Sequence, residues 1–234
     1  MEYRGLDTGR YHRVLGWVTF VMLLAALYFV FLYAPLEKVM REVQKIFYFH
    51  VASAWNAFFA FFIVFVSSII YLKTRDRRWD TVAAISAEIG VLFTTLVLIT
   101  GPIWARKAWG IWWNWEPRLT TTLILWFLYL AYLLIRSSGM EGEKKHLLAA
   151  VFGIIAFIDV PIVFFAIRWW GAINHPEVVK GSGGGLHPKM LHALIVSVLA
   201  FTFLYFYLLQ KGLAIERCRQ RIQEIKKVLR EKFD

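Results

Sequence analysis

The chain has 234 residues, of which 59% are hydrophobic and only 18% charged, and it carries a formal net charge of +11. With a positive mean hydropathy, this composition excludes a soluble globular domain and points to a protein embedded in a bilayer. The surplus of lysine and arginine is spread over short loops and a C-terminal tail, which suits membrane topology and anionic headgroups better than nucleic acid.

Six apolar runs follow one another at 14–34, 46–72, 81–103, 119–136, 147–168 and 189–210. Each reaches the roughly 17–25 residues that a helix needs to cross a bilayer core. The predicted fold is therefore an all-α integral membrane protein with six transmembrane helices, and 1–234 reads as a single membrane domain. The first run is too long for a signal-peptide core and ends in Phe31-Leu32-Tyr33-Ala34-Pro35 without a small-residue cleavage site, so it is expected to stay as the first span. Of the 27 lysines and arginines, eighteen fall on the side of the two termini and nine on the other. Positive loops stay inside, which predicts cytoplasmic N- and C-termini and outward loops after spans 1, 3 and 5.

Span 2 opens at its outer end with Phe47-Tyr48-Phe49-His50-Val51. Ser53, Ala54 and Ala57 lie three, four and seven residues on, along the same helical face; being small, they leave room beside the imidazole for a flat ring, although small residues also serve helix packing in lipid. Span 3 carries Glu88 and span 5 carries Asp159, two acids that are costly in lipid. Asp159 stands two residues before Pro161, whose ring frees backbone groups that an acid can satisfy; both acids read as structural. Between spans 3 and 4 the outward loop 104–120 places Trp104, Trp109, Trp112, Trp113 and Trp115, five of the 11 tryptophans, within twelve consecutive positions. An aromatic belt at the headgroups explains any one of these but not five so close together. The cluster suits a large, planar, partly apolar ligand.

Span 5 is followed by Arg168-Trp169-Trp170-Gly171-Ala172-Ile173-Asn174-His175-Pro176, a second aromatic wall with a histidine beside it. A glycine-rich stretch, 181–185, leads to His187 just before span 6 and His192 about one turn into it, both read as hydrogen-bonded anchors in the first instance. His12 and His146, on the side of the termini, read as solvated. The basic cytoplasmic tail 211–234 sets Leu213, Ile222, Ile225 and Leu229 among basic residues. It reads as a helix on the membrane surface in preference to a docking site for a cytoplasmic partner. The single cysteine, Cys218, lies in that tail, so the outward face has no disulfide. Two neutral imidazoles with a tryptophan shelf suit iron porphyrin better than zinc, which wants four compact ligands. Quinone is the competing planar ligand.

The stretch Trp109-Gly110-Ile111-Trp112-Trp113-Asn114-Trp115-Glu116-Pro117-Arg118-Leu119-Thr120 resembles the tryptophan-rich "WWD" signature of the haem-handling superfamily, with Glu116 where the signature has Asp. Within it, a six-span chain with one histidine before the motif and one after span 5 is similar to the CcmC, or haem exporter protein C, family of cytochrome c maturation. Tyr48-Phe49-His50-Val51, Ala87-Glu88-Ile89-Gly90-Val91-Leu92-Phe93, Thr100-Gly101-Pro102-Ile103-Trp104 and Trp169-Trp170 followed by His175-Pro176 support the likeness.

The resemblance implies a haem-delivery subunit of the bacterial inner membrane that is not an enzyme. It implies non-covalent haem b with His50 and His175 as axial ligands and His187 as the alternative to His175. Trp109, Trp112, Trp113 and Trp115 would border the porphyrin, with Gly110 allowing close approach of backbone and Trp169 and Trp170 as the additional aromatic wall. Arg118 would pair with a propionate, and Glu116 would contact a partner or orient Arg118. The implied partners are the periplasmic haem chaperone CcmE, the ABC transporter subunits CcmA and CcmB, the small membrane subunit CcmD and lipid. The chain has no phosphate-cradling motif, so ATP use would belong to a partner. Two readings compete: a larger-type haem lyase or quinone- or haem-linked membrane oxidoreductase, and a structural subunit of an ABC transporter complex.

Overall fold

The computed structural model of the protein describes residues 6–38, 40–139, 142–171 and 186–233. Helix α1, Leu6–Tyr28, runs into a π-helical turn at Phe29–Tyr33, and a 3₁₀ turn at Glu42–Gln44 leads into α2, Lys45–Thr74. Then come α3 (Arg77–Trp109), α4 (Pro117–Ser137), α5 (Glu143–Ala156), α6 (Asp159–Trp170) and α7 (Pro188–Phe233). Among the described residues six helical stretches are long and apolar enough to cross a membrane, and they coincide with the six predicted runs. The tryptophan loop lies at one end of the bundle, here the tryptophan face; by alternation of the spans both termini lie at the other, the terminal face.

A two-residue turn makes α2 and α3 antiparallel neighbours. Arg75 ends α2 in the left-handed conformation, φ 58° and ψ 15°, and the Asp76 side chain accepts the Arg78 backbone N–H at 2.9 Å to cap α3. Lipid supplies no hydrophobic drive between helices, so close approach of small residues holds them together. Ala52, Ser53, Ala57 and Ala60 of α2, Ala83, Ala87 and Gly90 of α3, and Ala149, Gly153 and Ala156 of α5 are all buried. At Gly90 a Cβ would stand 2.4 Å from Phe61, and Phe61 in turn stacks on Tyr129 of α4 with ring centroids 3.6 Å apart. This packing narrows the reading of the face below His50: Ser53 and Ala57 are buried and leave no slot for a ring, and of the three only Ala54 is half-exposed.

The run 147–168 is two helices rather than one, with the break at Phe157–Ile158. Pro161 has no N–H to give the Phe157 carbonyl, which accepts from Val160 instead at 3.0 Å. Asp159 is buried in the first turn of α6, where the helix dipole favours an acid.

At the terminal face a charged knot ties three helices. Arg136 of α4 grips the buried Asp80 of α3 with both guanidinium arms at 2.7 and 2.9 Å, and His146 of α5 meets the second carboxylate oxygen at 2.6 Å. His146 is thus not solvated, as expected from its position near a loop, but 18% exposed and paired. Helix α7 continues through the membrane and beyond for 46 residues, about 69 Å at 1.5 Å per residue. Its backbone meets Ile85 of α3 at Gly212, where a Cβ would stand 2.5 Å away. From Arg217 to Lys232 every residue is exposed. A helix lying flat on the bilayer would need a break near residue 211, and α7 has none there, so the tail projects along the axis of its span.

Candidate functional site

His50 is the sixth residue of α2, at the tryptophan face. Its Nδ1 lies 2.8 Å from the Thr100 hydroxyl of α3, and that hydroxyl donates its one proton to the Leu96 carbonyl at 2.7 Å. With that hydroxyl turned to Leu96, Nδ1 is the donor in the His50–Thr100 bond, and this tautomer puts the lone pair on Nε2. A Cβ on Gly101 would sit 3.4 Å from His50 Cε1, so the ring rests against the α3 backbone as well. Metal-binding histidines are held in this way, with the second nitrogen giving its N–H to an oxygen that sets tautomer and orientation.

The tryptophan loop hangs between two helix caps. Gly110 closes α3 at φ 78° and ψ −1°, its N–H bonded to the Arg106 carbonyl at 3.1 Å, and the Arg106 guanidinium bonds the Gly110 carbonyl. A side chain at that φ would be strained. Glu116 occupies the N-cap of α4 with Pro117 as the first helical residue, a position that suits a residue lacking N–H. Thr120 bonds back to the Glu116 carbonyl through both its amide and its hydroxyl, each at 3.0 Å.

Between the caps the indoles pack edge to face, Trp104 on Trp109 at 4.9 Å and Trp113 on Trp115 at 5.7 Å between centroids, the arrangement ring quadrupoles favour. Trp109 and Trp113 are half-buried, whereas Trp112 and Trp115 are 58% and 73% exposed. Trp169 and Trp170, at the end of α6, are exposed as well. Arg118, in the first turn of α4, donates to the Phe164 carbonyl of α6 at 3.3 Å, which joins the helix leaving the loop to the helix leading to the second aromatic wall. Glu116 is 4% exposed, so its carboxylate faces inward at the base of the loop.

His175 lies outside the described residues. His187 stands at the N-terminus of α7: its carbonyl accepts from Leu191 at 3.0 Å and its Nδ1 accepts from the Lys189 N–H at 3.3 Å. An accepting Nδ1 leaves the proton of a neutral ring on Nε2, the opposite tautomer from His50. His192 is held by Tyr33, Nδ1 to hydroxyl 3.2 Å, with the two rings stacked. Thr100 and Gly101 are the site residues that sequence reasoning passed over. Their signal was the Thr100-Gly101-Pro102 run at the tryptophan-face end of the span that follows the one bearing His50.

A family model described as CcmC, haem exporter protein C, matches residues 6–228, all but the ends of the chain. The chain belongs to the CcmC family. It is 32% identical over 217 residues to a haem exporter protein C of Bradyrhizobium diazoefficiens, covering 91% of this chain and 82% of that one. A ccmC-like mitochondrial cytochrome c biosynthesis protein of Marchantia polymorpha is 30% identical over 203 residues, 86% of each chain. The haem exporter protein C of Escherichia coli K12 is 25% identical over 220 residues, covering 91% of this chain and 87% of that one. The CcmC match takes in the six spans, the tryptophan loop and both His50 and His175.

Proposed function

We propose that this protein is a haem-handling subunit of c-type cytochrome maturation. It holds non-covalent haem b at the outer face of the bacterial inner membrane and passes it to the periplasmic chaperone CcmE. CcmA, CcmB and CcmD are its proposed partners, and both termini and the tail 211–234 lie in the cytoplasm. The observation that carries the reading is His50, held by Thr100 through Nδ1 at 2.8 Å, at the face that displays Trp112, Trp115, Trp169 and Trp170. Family membership and the bias of lysine and arginine toward the terminal face support it.

Haem here is cargo. His50, through Nε2, and His175 would hold its iron, His187 being occupied as a helix cap. Neutral imidazoles hold iron porphyrin without a covalent bond to the macrocycle, so the cargo can leave. The displayed indoles cover its apolar faces, while Trp109, Trp113 and Gly110 shape the loop that carries them. Arg118, a guanidinium with five donors, steadies the loop through Phe164 and is the cation for a propionate. Glu116 holds the start of α4 beneath it.

Co-expression with CcmE tests the delivery step. The covalently attached haem on CcmE, read by haem stain after denaturing electrophoresis, should disappear with His50→Ala and with His175→Ala while both variants remain in the membrane. It should fall with Trp112→Ala combined with Trp115→Ala. Full loading of CcmE by both histidine variants would leave the tryptophan loop as a docking surface only, and the structural-subunit reading would replace this one.

A further inference from the structure

The projecting end of α7 carries a pattern that haem handling at the opposite face does not use. Ile215, Cys218, Ile222, Ile225 and Leu229 recur at alternating spacings of three and four, the spacing of the a and d positions of a coiled-coil seam. All five are exposed. Taking Ile215, Ile222 and Leu229 as a and Cys218 and Ile225 as d, the e positions are Arg219 and Lys226 and one g position is Arg221. The acids fall elsewhere: Glu216, Glu224 and Glu231 occupy b and c, on the side away from the seam. Two of them are engaged along the helix, Glu216 with Gln220 at 3.2 Å and with the e-position Arg219 at 3.9 Å, and Glu231 with Lys227 at 3.8 Å.

We propose that this segment is one strand of a heteromeric coiled coil whose partner is an acidic amphipathic helix of another protein, apolar at a and d and carrying Glu or Asp at e and g. Basic flanks select acidic ones, because e and g charges set partner choice in coiled coils. A second copy of this chain would set Arg219, Arg221 and Lys226 against their own kind. The bilayer is a poor occupant, since α7 leaves it without a break.

The test uses the full chain in detergent micelles and two fluorescent synthetic heptad helices, both with Ile and Leu at a and d. One has Glu at e and g, the other Lys. The acidic probe should bind, more weakly as salt screens the flanks, and should protect Cys218, the chain's one cysteine, from maleimide. Ile222→Asn with Ile225→Asn should weaken binding about tenfold or more at unchanged helicity by circular dichroism. Arg219→Glu with Lys226→Glu should transfer preference to the Lys probe, a gain that misfolding cannot produce. Equal binding of the two probes, or binding of neither, overturns the proposal. A Cys218–Cys218 disulfide between copies under mild oxidation, or protection of Cys218 by anionic vesicles alone, overturns it in favour of a self-interface or the membrane.

Discussion

A neutral imidazole offers iron one nitrogen, and the partner of the other nitrogen decides which. In this chain that partner is Thr100, 50 residues from His50 in sequence and 2.8 Å away in space. Thr100→Val keeps the size of the side chain but removes the acceptor, so haem affinity should fall about 10–100-fold, read by optical titration of apo-protein with haem. Thr100→Ser should restore it. Loss of affinity in the serine variant as well would mean that packing, and not the hydrogen bond, holds the ring. Gly110→Ala places a Cβ on a left-handed residue, φ 78°, at a cost of about 1–2 kcal/mol. The expected result is a lower midpoint in thermal unfolding together with weaker haem binding, because the residue that strains is the one on which the tryptophan loop turns. His50 and the tryptophans of 104–120 stand out in the sequence by type and place, and the structure sets them at one end of the bundle. Thr100 does not stand out, since one of several threonines in an apolar run gains meaning only when another helix brings His50 beside it.

Among the elements, α2 and α3 position the site and the knot at their far end holds them. Asp80→Ala would leave Arg136, whose side chain is 18% exposed, without its carboxylate, and removing one partner of a largely buried pair costs up to about 3–5 kcal/mol. Thermal unfolding in detergent should show this as a large downward shift, with the tryptophan face losing order only as the whole bundle unfolds. Gly90→Leu should be comparably damaging, because Phe61 would have to leave its stack on Tyr129; an unshifted midpoint would contradict the close α2–α3 contact. The sequence announced the existence of every span but not their interruptions. Hydropathy is blind to the break at Phe157–Ile158, since residues on both sides are apolar; Pro161 was the visible cause, and its effect falls on the carbonyl four residues earlier. His146 was misread for a related reason: a histidine near a loop is exposed unless a carboxylate from another helix reaches it, and Asp80 does so across 66 positions.

For the molecule as a whole the account requires two chemically distinct ends, an aromatic outer face and a basic inner one. Cys218 reports on this directly. A membrane-impermeant maleimide should leave it unmodified in intact cells and label it in inverted membranes; labelling from outside would reverse the orientation and put the tryptophan loop in the cytoplasm. Hydropathy made the six spans readable before any coordinates, and the lysine and arginine counts predict the orientation that this labelling tests. The direction of the tail was not readable, because a continuous helix and a surface helix share one composition and differ only in whether the backbone breaks. The most direct measurement of the central claim is haem quantitation with optical and electron paramagnetic resonance spectra on the purified chain and its His50→Ala and His175→Ala variants. The account predicts about one b-type haem per chain with two-histidine ligation, and a lost or altered spectrum in each variant. The same haem content and the same spectrum in all three proteins would contradict it.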